Sequence, residues 1–483
     1  MSGALELETA GAGGLVGRRV VVLGLGLFGG GLGAARWALA RGAHVTVTDL
    51  RSADELRAPL AELDALARVA GSGPLHLTLG RHDERELREA DLVIVNPAVP
   101  PTAPPLRVAR AEGARITTAT AILLRTARCR VIGVTGTHGK SSTVRFIGGL
   151  LRASVDGARV VVGGNIGGSL LSETDALGPA DVAVLELSSY QLEHLPDDVG
   201  RPLSGAVVTC LGVDHLARHG TVERYHAAKH RLFDLVAEGG FVTLDETVDA
   251  GIARARTRDA RVDRRAVDGE IQLDPSTGHV RLDGEPLGNA GALRAAGGFQ
   301  ARNLALALAA ARRTGAPADG LAGAVGGLAP PPHRLEPLGA HTALVGGAPF
   351  EVWDNGVSTT PESTVSALES IGGGGARVLL AGGQAKGELD LGLVTRFAAR
   401  AGWTVVGFGA SGGALEPGAG DRPLPEAVGR AVALLGEGGV LAFSPACASF
   451  DAYANFSARA EAFRSALGQV AAPIADDRPR SRD

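Results

Sequence analysis

The sequence predicts an α/β protein of three domains, residues 15–127, 128–332 and 333–470. A length of 483 residues allows about three domains of ordinary size. Short apolar runs of β-type composition alternate with helical patterns along the chain, which is typical of sheets covered by helices. Three prolines at 330–332 form a stiff break in front of the third block.

Bulk composition argues against several classes of partner. The net charge of −4 is unsuited to nucleic acid or an anionic membrane surface. Cys129, Cys210 and Cys447 are far apart and lack metal-ligand spacing, which fits a reducing cytoplasm without disulfides. No apolar run reaches the roughly 18 residues of a membrane span, and the N-terminus lacks the basic segment of a signal peptide. We therefore expect a cytoplasmic protein.

The first block begins with an apolar β run at 19–23, followed by a glycine turn at 24–29 and a helical pattern. A second β run, 44–48, ends at Asp49. This order, with an acid about twenty residues after the turn, is typical of a Rossmann-like nucleotide-binding unit. Taken alone, the turn also fits an NAD-dependent dehydrogenase or a tight turn without a ligand.

The central block contains the most specific loop of the chain. A β run at 130–134 leads into it, and a helical pattern follows. The loop reads Gly136, Thr137, His138, Gly139, Lys140, Ser141, Ser142. Backbone N–H groups of such a loop wrap phosphates, Lys140 reaches the terminal phosphate, and Ser141 or Ser142 can hold Mg²⁺. Although Val134 replaces the first glycine of the full pattern, the loop predicts a P-loop-type ATPase domain.

Three further residues of this block could surround the phosphates. Glu186 ends a buried run, where an acid can bind a metal ion, and His215 follows the next run, 206–211, as a candidate metal ligand. Lys229 lies in a helical pattern, and only three of the 48 Lys and Arg residues are lysines. A lysine beside a divalent cation is explained if its amine has reacted with CO₂. The resulting carbamate is anionic and can bind Mg²⁺, which the guanidinium of arginine cannot imitate.

Other polar residues follow later β runs. Asn303 opens an alanine-rich helical pattern, and Arg334, next to His333, could reach nucleotide phosphates. The third block has polar turns after three β runs, at 354–361, 382–387 and 444–451. Because the carboxyl ends of parallel strands meet at one edge of a sheet, these turns predict a site for a small anion such as a carboxylate.

At several motifs the sequence resembles the Mur ligases of bacterial cell-wall synthesis, over roughly residues 19–470. The motifs are LELSSYQLE at 185–193, DHLARH at 214–219 with Ala227-Ala228-Lys229, PHR at 332–334, and 444–456. The Gly-Lys-Ser loop is common to all Mur ligases and to folylpolyglutamate synthetases. The stretch SPACASFD at 444–451 resembles the glutamate-adding branch.

The resemblance implies an ATP-dependent amide ligase with Rossmann-like N- and C-terminal units on either side of the ATPase domain. Its substrates would be UDP-N-acetylmuramoyl-L-alanine and D-glutamate, joined through an acyl phosphate for peptidoglycan synthesis. ATP and Mg²⁺ would be required, and the protein would act as a monomer.

The resemblance also implies a role for particular residues. The ATP site would consist of Gly136, Thr137, His138, Gly139, Lys140, Ser141, Ser142, Asn303 facing adenine, His333 and Arg334. The catalytic group would be Lys140, Glu186, His215 and Lys229, with Ser141, Glu186, His215 and carbamylated Lys229 binding metal. The UDP-sugar site would consist of Gly26, Phe28, Asp49, Arg51, Asn165 and Ser188. The amino acid would bind Thr359, Lys386, Ser449 and Phe456.

The sequence departs from the family pattern at two informative places. His138 is more typical of the alanine-adding sibling. The family's Asp-Ser-Lys-Ala-Thr turn reads Asn355-Gly356-Val357-Ser358-Thr359, without its lysine. L-Glutamate is therefore the alternative acceptor. A non-catalytic nucleotide-binding relative is another alternative, but it would be expected to have lost residues such as Lys140 or Lys229.

Overall fold

The computed structural model describes residues 14–474, apart from residues 28, 70–72, 167, 266–270, 275–276, 291–292, 294–296, 330 and 386–388. The chain divides into two compact units. The first comprises the described residues up to Leu273, with Val280–Asn289 and Arg302–Leu328. The second comprises Asp274–His279, Ala290–Ala301 and the described residues from Ala329 onward. No helix in the described ranges is long and apolar enough to cross a membrane.

The N-terminal sheet of the first unit is parallel throughout. Its strands are β1 Arg19–Leu23, β2 His44–Asp49, β3 Leu75–Leu79, β4 Leu92–Val95 and β5 Arg115–Thr117, in the spatial order β3-β2-β1-β4-β5. All four residues of β4 are buried, as expected for a strand covered on both faces. The strand order reverses between β1 and β4, which places a crevice at the carboxyl ends of these strands.

A second parallel sheet follows in the same unit. Its strands are β6 Arg130–Thr135, β7 Val160–Gly164, β8 Val182–Glu186, β9 Leu203–Val208, β10 Val236–Asp245 and β11 Arg261–Arg265, in the order β11-β10-β9-β6-β8-β7. The order of the strands along the sheet reverses at β6, although all of them are parallel. One apolar core joins both sheets, from Val20 and Trp37 to Val131 and Leu185. A small third sheet consists of β12 Ile271–Leu273, β13 His279–Leu282 and β14 Glu285–Asn289.

The second unit contains a mixed sheet. Its strands are β15 Glu336–Ala343, β16 Phe350–Asp354, β17 Ala376–Gly382, β18 Trp403–Phe408, β19 Gly439–Ala446 and β20 Ala471–Pro473, in the order β18-β17-β19-β16-β15-β20. The strands β16 to β19 are parallel, whereas β15 is antiparallel to both neighbours. Separate apolar clusters contain Phe443 with Phe463 and Leu379 with Trp403, so both faces of this sheet are covered.

Helices connect most of these strands. In chain order the described helices are Gly30–Leu39, Arg57–Ala67, Glu84–Arg88, Pro104–Ala111, Ala119–Thr126, Lys140–Ser154, Ser189–Glu193, Leu216–His219, Val222–Asp234, Ala250–Arg256, Gly297–Arg313, Ala318–Val325, Pro361–Ser370, Gly392–Ala401, Gly412–Leu415, Leu424–Ala433 and Phe456–Val470.

The α/β class is confirmed, and most predicted β runs agree with strands to within two residues. The β run predicted at 206–211 is wrong at its end, because β9 stops at Val208 and His215 instead precedes a short helix. Asn303 does not open its helix, which begins at Gly297. Ser444 lies inside β19 rather than after it. The domain boundaries at 127 and 332 stay a prediction.

Candidate active site

The phosphate loop connects β6 to the helix Lys140–Ser154. Gly139 caps this helix with a φ of 81°, a conformation that suits glycine. A Cβ atom at Gly139 would lie 2.3 Å from Oδ1 of Asn303, and one at Gly136 would lie 2.0 Å from Oγ1 of Thr209. Both glycines are therefore required for the path of the loop, and Asn303 packs against the loop itself.

Two lysines converge on one carbonyl of this loop. Nζ of Lys229 donates to the carbonyl oxygen of Gly136 at 2.8 Å, and Nζ of Lys140 donates to the same oxygen at 2.9 Å. Lys140 also donates to the carbonyl oxygen of Thr137 at 2.8 Å. Two lysine side chains beside a glycine loop are an arrangement suited to phosphate.

Lys229 is 2% exposed, and its Nζ lies 4.7 Å from the ring centroid of Tyr225. Burial lowers the pKa of Lys229 well below its ordinary value, and the neighbouring charge of Lys140 lowers this pKa further. A lower pKa increases the fraction of neutral amine, which is the form that reacts with CO₂. The environment thus favours the chemistry that the predicted carbamate needs.

Glu186 joins the phosphate loop to the predicted UDP-sugar site. It ends β8 and is 2% exposed. Its Oε2 accepts a hydrogen bond from Oγ of Ser141 at 2.7 Å, and its Oε1 accepts one from Nδ2 of Asn165 at 3.0 Å. A buried carboxylate beside a serine hydroxyl at a phosphate loop is a suitable pair of oxygen ligands for Mg²⁺.

His215 stands in front of the helix Leu216–His219 with a φ of 53°. Its ring centroid lies 5.1 Å from that of Tyr190 and 6.1 Å from that of Tyr225. Burial lowers the pKa of His215, while the carboxylate of Asp214 opposes this shift. The neutral imidazole is the form that binds metal, and the side chain is 48% exposed, so that a ligand can reach it.

The rest of the loop is fixed by neighbouring segments. The N–H of Thr137 donates to the carbonyl oxygen of Cys210 at 2.8 Å, and the N–H of His138 lies 3.4 Å from the Cys210 sulfur. The hydroxyl of Tyr225 donates to Oγ1 of Thr137 at 3.2 Å. Burial raises the pKa of Tyr225, which keeps this hydroxyl protonated as a donor. Ser142 is buried behind the loop.

The glycine turn after β1 is organised by an acid. Oδ2 of Asp49 accepts the N–H of Gly26 at 3.0 Å, and Oδ1 accepts the N–H of Arg51 at 2.9 Å. Asp49 is 3% exposed. The three residues that were predicted to act together here are therefore in direct contact.

A cavity of about 640 Å³ opens beside this turn. Five predicted UDP-sugar residues line it: Gly26, Asp49, Arg51, Asn165 and Ser188. Phe28, the sixth, lies outside the described residues. The cavity is large enough for a nucleotide-sized ligand, and Asn165 and Ser188 reach it from the second sheet.

Sequence reasoning missed His82, which also lines the cavity. Nδ1 of His82 lies 2.8 Å from Oγ1 of Thr48, and that hydroxyl donates to the carbonyl oxygen of Arg81 at 3.1 Å. In the tautomer whose Nδ1 donates to Thr48, Nε2 of the neutral ring is an acceptor. Burial lowers the pKa of His82, which favours the neutral ring. The sequence feature that could have indicated this residue is its position three residues after β3.

Asp354 is the centre of a polar cluster in the second unit. It ends β16 and is 0% exposed, and its Oδ2 lies 2.7 Å from Nδ1 of His333 and from Nε of Arg464. Glu336 also pairs with Arg464. Within the described ranges, His333, Glu336 and Asp354 have the spacing of metal ligands. The guanidinium of Arg464 already pairs with both carboxylates, so the cluster is an ion-pair network that holds His333.

Of the residues predicted to bind the amino acid, Thr359 and Ser449 closely follow strands of this sheet. Thr359 is partly buried in the turn after β16, Ser449 is buried after β19, and Phe456 begins a helix and is 37% exposed. Lys386 lies outside the described residues. The nucleotide contacts of His333 and Arg334 stay predictions.

The sequence analysis also did not identify Arg459, which is completely buried. Its guanidinium donates to the carbonyl oxygens of Cys447 and Ala448 at 2.9 Å, of Gly356 at 3.2 Å and of Gly382 at 3.5 Å. These carbonyls belong to the chain at the carboxyl ends of three parallel strands. Burial lowers the pKa of Arg459 to about 10, so the guanidinium is charged at neutral pH.

Several known proteins are similar to this chain in sequence and in fold. Residues 134–311 match the Mur ligase middle domain, and residues 18–118 match the N-terminal domain described as Mur ligase MurD-like. UDP-N-acetylmuramoylalanine–D-glutamate ligase of Symbiobacterium thermophilum is 32% identical, with 92% of this chain and 97% of that protein aligned. The enzyme of the same name from Geobacter metallireducens is also 32% identical, with 94% and 98% aligned.

The fold is also found among solved structures. MurF from Acinetobacter baumannii has a TM-score of 0.56 at 15% identity, with 97% of this chain and 98% of that chain covered. At this identity the likeness concerns the fold alone. The alignments with the two ligases named above span nearly the full length of both proteins. The chain therefore belongs to the Mur ligase family, in the branch of the UDP-N-acetylmuramoylalanine–D-glutamate ligases.

Proposed function

We propose that this protein is an ATP-dependent amide ligase that joins D-glutamate to UDP-N-acetylmuramoyl-L-alanine. The full-length similarity to ligases of that name supports this function. The observation that carries it is the convergence of Lys140 and buried Lys229 on the carbonyl of Gly136, next to a loop that fits phosphates. The reaction belongs to peptidoglycan precursor synthesis in the cytoplasm.

The chemistry has two steps. The carboxylate of the sugar-nucleotide substrate attacks the γ-phosphorus of ATP, which gives an acyl phosphate and ADP. The amine of glutamate then attacks the acyl carbon, and phosphate leaves from the tetrahedral intermediate. Lys140 neutralises charge on the transferring phosphoryl group, which is the main catalytic requirement of such transfers.

The oxygen-rich surroundings of the loop fit Mg²⁺. Ser141, Glu186, His215 and carbamylated Lys229 would hold it, and a bound divalent cation there would offset negative charge between neighbouring phosphates. Carbamylation would give the side chain of Lys229 a negative charge and exclude its cationic form. That change would remove its repulsion with Lys140 and with the metal ion.

The cavity beside the glycine turn would hold UDP. Asp49, Arg51 and His82 supply an anion, a cation and an imidazole ring on its wall. Asn165 and Ser188 would contact the sugar. The second unit would hold glutamate through Thr359, Lys386, Ser449 and Phe456.

Release of phosphate from ATP tests this function. The purified protein, UDP-N-acetylmuramoyl-L-alanine and Mg²⁺ are incubated with D-glutamate, with L-glutamate or with neither. We expect release with D-glutamate only and a product whose mass equals that of the joined substrates. Release with L-glutamate alone would support the alternative acceptor, which Val357 in place of the family lysine motivates. No release with either amino acid would overturn the proposal.

The protein is further proposed to be a monomer. Light scattering coupled to size-exclusion chromatography is expected to give the mass of one chain, 49.0 kDa. A mass twice this value at micromolar concentration would contradict the proposal.

A further inference from the structure

We propose that Arg218 is a positioning residue that couples the sugar-nucleotide cavity to the phosphate loop. The inference rests on the proposed function, because it concerns how the two substrates of that reaction affect each other. The short helix Leu216–His219, which begins directly after His215, contains Arg218. The side chain of Arg218 is 10% exposed.

One side of Arg218 holds the cavity wall. Its guanidinium donates to the carbonyl oxygens of Pro97, Ala98 and Val99, each at 3.3 Å. These three consecutive residues follow β4 and line the cavity. A ligand in the cavity thus lies against a segment whose backbone is bound by this one side chain.

The other side of Arg218 holds the helix Ser189–Glu193. Nε donates to Oε2 of Glu193 at 3.0 Å, and the guanidinium carbon lies 4.8 Å from the ring centroid of Tyr190. Ser188, which caps this helix, and Tyr190 both line the cavity. Arg218 therefore connects two separate parts of the cavity wall.

The main chain connects Arg218 to the phosphate side. The N–H of Arg218 donates to the carbonyl oxygen of His215 at 3.0 Å, and the N–H of His219 donates to it at 3.1 Å. His219 Nε2 also lies 3.0 Å from Oγ of Ser189. His215 and Arg218 are thus held in one short helical turn, and a displacement of the cavity wall is transmitted to His215.

This role requires arginine. The side chain contacts three carbonyls, a carboxylate and a ring face in different directions, which a planar guanidinium with five N–H donors can do and an ammonium cannot. A lysine would keep the charge and lose most of this geometry. The substitution Arg218→Lys is therefore the sharpest test of positioning as distinct from charge.

Reciprocal binding measures the coupling. Each ligand raises the affinity of the other by the same factor when two sites are coupled. The dissociation constant of a non-hydrolysable ATP analogue with Mg²⁺ is measured by calorimetry, with and without saturating UDP-N-acetylmuramoyl-L-alanine. In the unaltered protein we expect the sugar nucleotide to tighten binding by about fivefold or more. In Arg218→Lys we expect a factor below about two, with the affinity for each ligand alone changed by less than about threefold.

Arg231 provides a matched control. It donates to the carbonyl oxygens of Glu193 at 3.1 Å and of Leu195 at 2.7 Å, so it also holds the end of the helix Ser189–Glu193. Within the described residues, Arg231 makes no hydrogen bond to Pro97, Ala98 or Val99. Arg231→Lys is expected to keep the coupling factor of the unaltered protein.

The outcomes separate the two proposals. If the unaltered protein binds neither ligand, the proposed function is overturned and this inference with it. If both ligands bind independently, or if Arg218→Lys keeps the full coupling, only the role of Arg218 is overturned. Equal loss in Arg231→Lys would also overturn it, because general loosening would then explain the result. If Arg218→Lys does not fold, Glu193→Gln is the second variant, because it weakens the bond from Arg218 to Glu193. We expect it to reduce the coupling factor by about half or more. An unchanged coupling factor would contradict the role of Arg218.

Discussion

Two glycine turns of the first unit have the same local structure and different electrostatics. The turn after β1 and the loop after β6 each begin a helix behind a glycine with a left-handed φ, Gly29 and Gly139. At the first turn, the carboxylate of Asp49 accepts the N–H of Gly26. At the second, Lys140 and Lys229 donate to the carbonyl of Gly136.

This difference shows that a glycine turn after a strand does not by itself identify a ligand. The first turn contains its own anion, which takes up an amide that could otherwise bind phosphate. The second has two lysine side chains beside it, and the acid Glu186 accepts from a side-chain hydroxyl instead. Polyphosphate is therefore expected at the second turn, and neutral hydroxyl or ring donors at Asp49.

The comparison is tested most strongly at Lys140. Lys140→Ala removes the cation from the transferring phosphoryl group, and we expect the turnover rate to fall by at least about 1,000-fold. Phosphate release measures this loss. Binding of UDP-N-acetylmuramoyl-L-alanine should stay within about twofold, because we propose that its nucleotide binds at the other turn. An equal loss of sugar-nucleotide binding would break the assignment of separate roles.

The second lysine is expected to have the next largest effect. Lys229→Ala removes a metal ligand if the lysine is carbamylated, and the turnover rate should fall by about 100-fold. A short carboxylic acid in the cavity left behind would replace the carbamate and restore part of the rate. Lys229→Arg is the matched variant that should not be rescued. Failure of every small acid to restore activity would contradict the carbamate.

Glu186 tests the role of the acid at the second turn. Glu186→Gln keeps an acceptor for Ser141 and removes the charge, so the Mg²⁺ concentration for half-maximal rate should rise about tenfold. Titration of Mg²⁺ against phosphate release measures this shift. An unchanged Mg²⁺ requirement would remove Glu186 from the metal site. Glu112→Gln, a change of the same kind at an exposed position outside the proposed sites, is the control.

Asp49 should give the smallest effect. Asp49→Asn leaves one oxygen to accept the two backbone N–H groups of Gly26 and Arg51, and it removes the charge. The KM for the sugar nucleotide should rise about tenfold, which corresponds to about 1.4 kcal/mol. The KM for ATP should not change. A larger effect on ATP would mean that the acid does not belong to the first turn alone.

The sequence was sufficient for features that depend on near neighbours. The strand, loop and helix around Lys140 were predicted because β propensity, glycines and a helical pattern occur in one continuous stretch. The predicted end of the β run before His215 was wrong, since the apolar run continues beyond Val208, the last residue of β9. Local apolar composition does not reveal where backbone pairing ends.

Contacts between distant segments could not be predicted in the same way. Lys229 and Gly136 are separated by 93 positions, and Arg218 and Ala98 by 120. The scarcity of lysine marked Lys229 as special, whereas Arg218 was only one member of the motif at 214–219 and Arg459 had no comparable signal. Their importance depends on which carbonyls they meet, and carbonyls are present at every residue.

Arg459 has a consequence for how amino-acid choice can change in this family. It holds the backbone at three strand ends through carbonyl oxygens, and such bonds do not depend on which side chains the turns carry. The turns can therefore exchange side chains, as with valine at position 357, while the main chain keeps its course. If the glutamate site is at these turns, as proposed, we expect single substitutions to change the acceptor preference without a rearrangement of the sheet.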